Sequence, residues 1–201
     1  MEKKFNPEKF KLVGLALEDF NKAIKEKDVF VREARLIPVH KVGNELALAS
    51  VFLASLKYVK EYREKFFRAI KFKKSSQLFF YTEVHFSHRD YQSSRLDGLI
   101  ISVSKGIIKD AVIIEFKGKG GNVDPVQIDQ YLALNKSTYK VDKLVSVSPE
   151  YVPDIDHLPY TPIKKYKAVQ LYHFSWSRLK NIASLLLFQN GDNIEDEDQV
   201  N

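Results

Sequence analysis

Apolar residues at positions 10, 13, 17, 20 and 24 fall on one stripe of a 3.6-residue period, which predicts an amphipathic helix over about 7–27 with Pro7 in its first turn. The segment VFVREARLIPV that follows reads as a short extended piece. It leads to Gly43-Asn44, where Asn44 can cap a long helix over about 45–71 whose apolar positions are 48, 52, 56, 59, 66 and 70. Three strand-like runs come next: LFFYTEVHFS (78–87), RLDGLIISV (95–103) and AVIIEFK (111–117). The glycine-containing SKGIIKD between the last two reads as a hairpin connection.

Beyond the glycine-rich turn GKGG, Asp124-Pro125 opens a short helix, VQIDQYLALNK, with Asp124 at the cap and Pro125 at the first helical position. KLVSVS (143–148) and KAVQLYHF (167–174) are further strands, separated by a proline-rich loop over 149–163. Ser175 can cap a last helix, WSRLKNIASLLLF. The order helix, helix, three strands, helix, two strands, helix predicts one α/β domain with a mixed β-sheet flanked by helices. That domain spans residues 1–190, with no internal repeat and no convincing boundary.

At 201 residues, 44% hydrophobic and 12% aromatic, the chain can bury a full core. No apolar run approaches the roughly 20 residues that span a bilayer, so no membrane partner is expected. The charged N-terminus lacks the apolar segment of a secretory signal. The absence of cysteine excludes disulfides and thiolate metal sites and fits a cytoplasmic location. The net charge of +6 hides an asymmetry: residues 191–201, GDNIEDEDQVN, hold five acids and no base, so residues 1–190 carry +11. The acidic tail is expected to be disordered. The basic remainder favours a polyanionic partner, although excess lysine also serves solubility.

The chemistry concentrates in EFKGKGG. Strand alternation puts Glu115 and Lys117 on one face, while Val112, Ile114 and Phe116 anchor the other face in the core. Asp97, in RLDGLII, lies across the hairpin, where an aspartate between apolar residues must be paired, metal-bound or near a surface. Two carboxylates converging from adjacent strands suit a hard divalent cation, and a neighbouring lysine can hold a water or offset charge on a phosphate. An isolated E-x-K is more simply a surface ion pair worth at most about 1 kcal/mol. His85 and His88 lack further ligands for a zinc site, and no P-loop pattern is present.

An acid in one strand, E-x-K ending the next strand of a hairpin, and then a helix resembles the PD-(D/E)xK nuclease superfamily. The matching residues are Asp97 and Glu115-Phe116-Lys117, with Leu96 where the family usually has proline. Gln127-Ile128-Asp129-Gln130-Tyr131 is similar to the Q-x-x-x-Y signature of the RecB-like branch. Residues 127 and 131 share a helix face, an arrangement that a simple packing pair would also give. The resemblance covers about residues 45–148. It implies a restriction-endonuclease-like core (α-β-β-β-α-β) with extra N- and C-terminal helices, and a Mg²⁺-dependent nuclease, with Mn²⁺ able to substitute. The expected substrate is nucleic acid, DNA first, cleaved in line to a 5′-phosphate and a 3′-hydroxyl.

Asp97, Glu115 and the Phe116 carbonyl would then hold the metal, with Glu45 completing the shell and Glu83 a further candidate. Lys117 would orient or activate water, and Gln127 and Tyr131 would position a phosphate or brace Lys117. Arg89, Arg95 and Lys119 are candidates for backbone contacts, and a homodimer or partner subunit would be needed for sequence-specific double-strand cleavage. The alternative is a binding or interaction module with the same fold and no turnover.

Overall fold

The computed structural model describes residues 11–36, 45–86, 95–137, 141–163 and 168–190. The elements in chain order are α1 (Leu17–Lys25), β1 (Val29–Glu33), α2 (Glu45–Tyr58), α3 (Lys60–Ala69), β2 (Gln77–Phe86), β3 (Arg95–Ser104), β4 (Ile107–Phe116), α4 (Pro125–Ser137), β5 (Lys143–Ser148), β6 (Gln170–Ser175) and α5 (Trp176–Asn190). The six strands form one open sheet in sequence order, antiparallel from β1 to β4 and parallel from β4 to β6. The α/β class with a mixed sheet is thus as the sequence predicts. No helix among the described residues is long and apolar enough to cross a membrane.

Alternation along the strands divides the core between the two sheet faces. On one face Ile113, Leu99, Ile101 and Leu144 pack with Phe20 of α1 and Ile128, Tyr131 and Leu132 of α4. On the other, Ile100, Val112, Ile114, Phe116, Val145 and Phe174 pack with Phe52 and Leu53 of α2, Phe66 of α3 and Leu179 of α5. The helices sandwich the sheet, and all three central strands, β3 to β5, are covered on both sides.

The structure corrects three expected boundaries. The first helix begins at Leu17, because Gly14 (φ 96°) turns the chain and residues 14–17 pair with the β3–β4 hairpin: Gly14 N–H to Ile108 O at 2.8 Å, Ile108 N–H to Leu15 O at 2.9 Å. The long helix is two helices broken at Val59, whose backbone is extended (φ −107°, ψ 100°). The buried Arg63 closes the break by donating from Nη1 to the Leu56 and Lys57 carbonyls at 3.1 and 2.8 Å, which satisfies the end of α2. The hairpin is also tighter than SKGIIKD suggests. Ser104 pairs with Ile107, leaving Lys105 and Gly106 as a two-residue turn with positive φ at both positions (51° and 71°).

The expected caps of α4 and α5 are present. Asp124 Oδ1 accepts the Val126 N–H at 2.8 Å, and Ser175 Oγ accepts the Arg178 N–H at 3.1 Å. Asn44 and the tail 191–201 lie outside the described residues.

Candidate functional site

The site forms where β3 and β4 part. Main-chain pairing between them ends at Gly98 and Ile114, and one residue further along Asp97 replaces the ladder with its side chain: Oδ2 accepts the Phe116 N–H at 3.0 Å. Gly98 makes this close approach possible. A Cβ there would stand 3.1 Å from the Phe116 ring, 3.2 Å from Leu53 and 3.3 Å from Ile114. Phe116, buried beneath the strand with Phe52 and Trp176 around it, fixes the end of β4. In an extended strand the N–H and C=O of one residue point to the same edge. The Phe116 carbonyl therefore faces the β3 side. Lys117 N–H turns the other way, to Val147 O of β5 at 2.8 Å.

Asp97 and Glu115 are buried, at 8% and 1% exposure, and close enough for each to shift the other's titration. Glu115 Oε1 accepts from Lys117 Nζ at 2.6 Å, whereas the buried Oε2 has no donor. Burial, followed by the charge of Asp97, pushes Glu115 up to about 8. Burial also raises Asp97, against the opposing pull of the Phe116 N–H. Two acids that cannot both be comfortably ionised share this end of the sheet. Burial alone would lower the Lys117 ammonium, but its hydrogen bond to Glu115 and the nearby charges of Glu115, Glu45 and Asp97 raise it, so it stays cationic.

A chain of hydrogen bonds then aims Lys117. Its Nζ donates to Gln127 Oε1 at 2.8 Å, Gln127 Nε2 donates to the Tyr131 hydroxyl at 2.9 Å, and that hydroxyl donates to the Arg95 carbonyl at 2.8 Å. One turn of α4, the i to i+4 spacing of Gln127 and Tyr131, links the E-x-K strand to the start of β3. The Lys117 carbonyl accepts the Trp176 indole N–H at 2.7 Å, so α5 fixes the same residue from the other face. Burial, then Glu115 and Asp97, raises Tyr131 far above the usual phenol range, so it stays a neutral donor.

Glu45, in the first turn of α2, accepts the Gly118 N–H at 3.0 Å. Together with Arg95, Asp97, Lys117, Gln127, Gln130 and Tyr131 it lines an open polar cleft of about 330 Å³. Gln130 was not anticipated. Its sequence signal is its place three residues beyond Gln127 and next to Tyr131, on the same turn of α4.

Three expected residues fare differently. Glu83 lies opposite Asp97 in the β2–β3 register, yet its φ is 53° and the β1–β2 pairing shifts there. That bulge turns its carboxylate to Arg32 Nε at 2.7 Å, and Glu83 does not line the cleft. Lys119 is exposed in the turn after β4 and does not line the cleft either, whereas Arg95 is exposed at the cleft's rim. Arg89 and His88 lie outside the described residues.

Among the described residues, the one group of three acids or histidines with ligand atoms within 4.8 Å of one another is Asp154, Asp156 and His157, all exposed. Asp97, Glu115 and Glu45 do not form such a group, so Glu45 is a cleft neighbour of the carboxylate pair rather than its third close member. No protein-family model matches the chain, and no curated protein or solved structure matches it.

Proposed function

We propose that the protein is a divalent-metal-dependent nuclease with a restriction-endonuclease-like core, hydrolysing phosphodiester bonds of nucleic acid, DNA in the first instance. The observation that carries this reading is the buried Asp97–Glu115 pair: Asp97 and the tethered Lys117 line a polar cleft, and Glu115 lies buried behind them with one oxygen lacking a donor. The order α2–α3, β2, β3, β4, α4, β5 supports it, as does the Lys117–Gln127–Tyr131 chain.

The donor set suits a hard cation. It offers two carboxyl groups and a main-chain carbonyl, all oxygen, and a 2+ ion would let both carboxyls ionise together. Asp97, Glu115 and the Phe116 carbonyl would hold Mg²⁺ or Mn²⁺, and Glu45 would act through a water. Bound there, such an ion supplies Lewis-acid polarisation of the phosphate and a more acidic water.

The remaining chemistry belongs to the side chains. Lys117 is charged, so it donates hydrogen bonds and stabilises charge gathering on the phosphate; it does not remove a proton. Glu115 and Gln127 hold its ammonium in one direction, which limits the orientational freedom lost at the transition state. Arg95 and Gln130, at the cleft wall, are placed to meet phosphate oxygens.

The test is cleavage of single- and double-stranded DNA in Mg²⁺ or Mn²⁺ by the wild type, Asp97→Ala and Lys117→Ala. Cleavage in the wild type and its loss in both variants is expected, and equal cleavage by all three would sink the mechanism.

A further inference from the structure

A second cleft, of about 420 Å³, lies against the edge strand β1 and involves Phe30, Arg32, Glu33, Arg35, Ser50 and Thr82, with the Glu33 carboxylate taken by Lys57 Nζ at 2.9 Å. We propose that it is a platform for single-stranded nucleic acid that extends the catalytic cleft, with Phe30 stacking a base and Arg32 and Arg35 holding backbone phosphates. The proposal rests on the nuclease reading and specifies its substrate as a strand with unpaired bases.

Four observations carry it. Phe30 is 48% exposed on an edge strand, a large aromatic left uncovered among the described residues. The Arg32 guanidinium carbon lies 5.7 Å from the Phe30 ring centroid, so cation and ring form one surface. The bulge at Glu83 spends a left-handed backbone conformation, uncommon for a residue with a side chain, on holding Arg32 Nε. A single carboxylate cannot saturate the five N–H donors of a guanidinium. Arg35 is exposed and has no carboxylate partner among the described residues. Its main chain is clamped at both polar groups, since Ser50 Oγ accepts its N–H and donates to its carbonyl, each at 2.9 Å.

Position ties this surface to the site. Arg32 pairs with Thr82, and Thr82 pairs with Gly98, the neighbour of Asp97. Arg32 is therefore on the same rung of the sheet, two strand spacings or about 10 Å away. α2 spans the same gap from the other side: Glu45 lines the catalytic cleft and Ser50 the β1 cleft, about 7.5 Å apart along the helix. A few nucleotides cover that distance. Stacking on an exposed aromatic flanked by arginines is the sequence-tolerant mode of single-strand binding, and a duplex keeps the base faces that Phe30 would need inside its own stack.

The experiment measures fluorescence anisotropy of a labelled oligothymidylate and of a duplex, in EDTA, so that binding is read apart from cleavage. Phe30→Ala should weaken single-strand binding by about 5- to 100-fold, and Phe30→Trp should retain it. Arg35→Gln should reduce the slope of log K against log salt by about 0.7. Wild-type affinity in both Phe30→Ala and Arg35→Gln would overturn the platform, as would duplex binding that is equally tight and equally sensitive to Phe30→Ala. The platform and the nuclease reading fail separately. Cleavage with unaltered binding by these variants removes the platform alone. The expected binding losses without cleavage in any divalent cation remove the nuclease reading alone.

Discussion

The two ends of β4 hold the same chemical groups and use them differently. At one end the buried Asp110 is saturated. Oδ1 accepts the Ala111 N–H at 2.8 Å and Lys143 Nζ at 3.0 Å, and Oδ2 accepts the Lys73 N–H at 2.6 Å and the same Nζ at 3.2 Å. One buried acid faces one buried lysine there, and Lys143 finds a second, exposed partner in Asp142 at 2.7 Å. Five residues along the strand, at Glu115, two buried acids face one partly exposed lysine, and an oxygen of Glu115 has no donor. A closed set of donors and acceptors fastens β4 to β5 and to the chain before β2. An open set, with an unsatisfied carboxyl oxygen just behind the wall of a cleft, has capacity left for something that is not part of the chain.

The largest effect expected from this contrast is on turnover. Lys117→Ala or Asp97→Ala should lower cleavage at least about 10²- to 10³-fold, the scale for removing one preorganised charge-stabilising group. Lys143→Met should leave the rate per folded molecule within a few-fold. Rate assays normalised to the folded fraction check this. If Lys143→Met costs as much turnover as Lys117→Ala, the two ends do not differ in kind.

Stability should rank the ends in the opposite order. Asp110→Ala leaves the buried Lys143 ammonium with Asp142 alone and removes the acceptor of the Lys73 and Ala111 N–H groups, and breaking a buried pair from one side costs roughly 3–5 kcal/mol. For a chain of this size that lowers Tm by about 10 °C. Glu115→Gln, measured in EDTA above pH 8, should raise Tm or leave it unchanged, because it removes a carboxylate whose ionised form the metal-free fold disfavours. A fall in Tm for Glu115→Gln comparable to that of Asp110→Ala would show that Glu115 is fastened as Asp110 is.

Much of this was legible in the sequence, and the parts that were not have identifiable causes. Asp97, Glu115, Lys117, Gln127 and Tyr131 converge because strand alternation and the i, i+4 helix rule act over short distances. The caps of α4 and α5 were legible for the same local reason. The break at Val59 was not, since no glycine or proline marks it and its support comes from Arg63, whose burial is tertiary. The turn of Glu83, a further candidate only, towards Arg32 was not legible, because a bulge is decided by how β2 pairs with β1 and no residue in FYTEVHF announces it. The role of Asp110 is not legible in the sequence either. Its lysine lies 33 residues away on a strand whose parallel pairing with β4 could not be placed in register from the pattern alone.

The pH dependence of stability sharpens the comparison further. Glu115 has a folded-state pKa pushed up to about 8, against an ordinary value of 4.5. A carboxyl raised in the folded state binds more protons there than in the unfolded chain throughout that interval, so its contribution is present below about 4.5 and is lost as pH rises towards 8. In EDTA the wild-type Tm should therefore fall between those values by the equivalent of a few kcal/mol. Asp97, also raised, adds in the same direction. Glu115→Gln should flatten the profile, and Mg²⁺ should restore stability on the alkaline side. Thermal unfolding across pH, with and without the ion, measures this, and a flat wild-type profile in EDTA would count against a strained carboxylate pair.

The smallest expected effect separates positioning from packing. Tyr131→Phe keeps the buried ring and removes only the hydroxyl that receives Gln127 Nε2 and reaches the Arg95 carbonyl. Losing those two bonds should cost about 1 kcal/mol of stability. If they also aim Lys117 through Gln127, kcat should fall about 5- to 20-fold with KM nearly constant, because the ammonium acts on charge that develops after the substrate is bound. Gln127→Ala, which removes the acceptor of Lys117 itself, should exceed Tyr131→Phe on kcat while disturbing Tm less, since Gln127 is only half-buried. A role confined to packing predicts the reverse ranking, with Tm tracking Tyr131 and kcat unmoved by either. The order of the two variants on the two axes therefore decides whether α4 serves the lysine or merely covers the sheet.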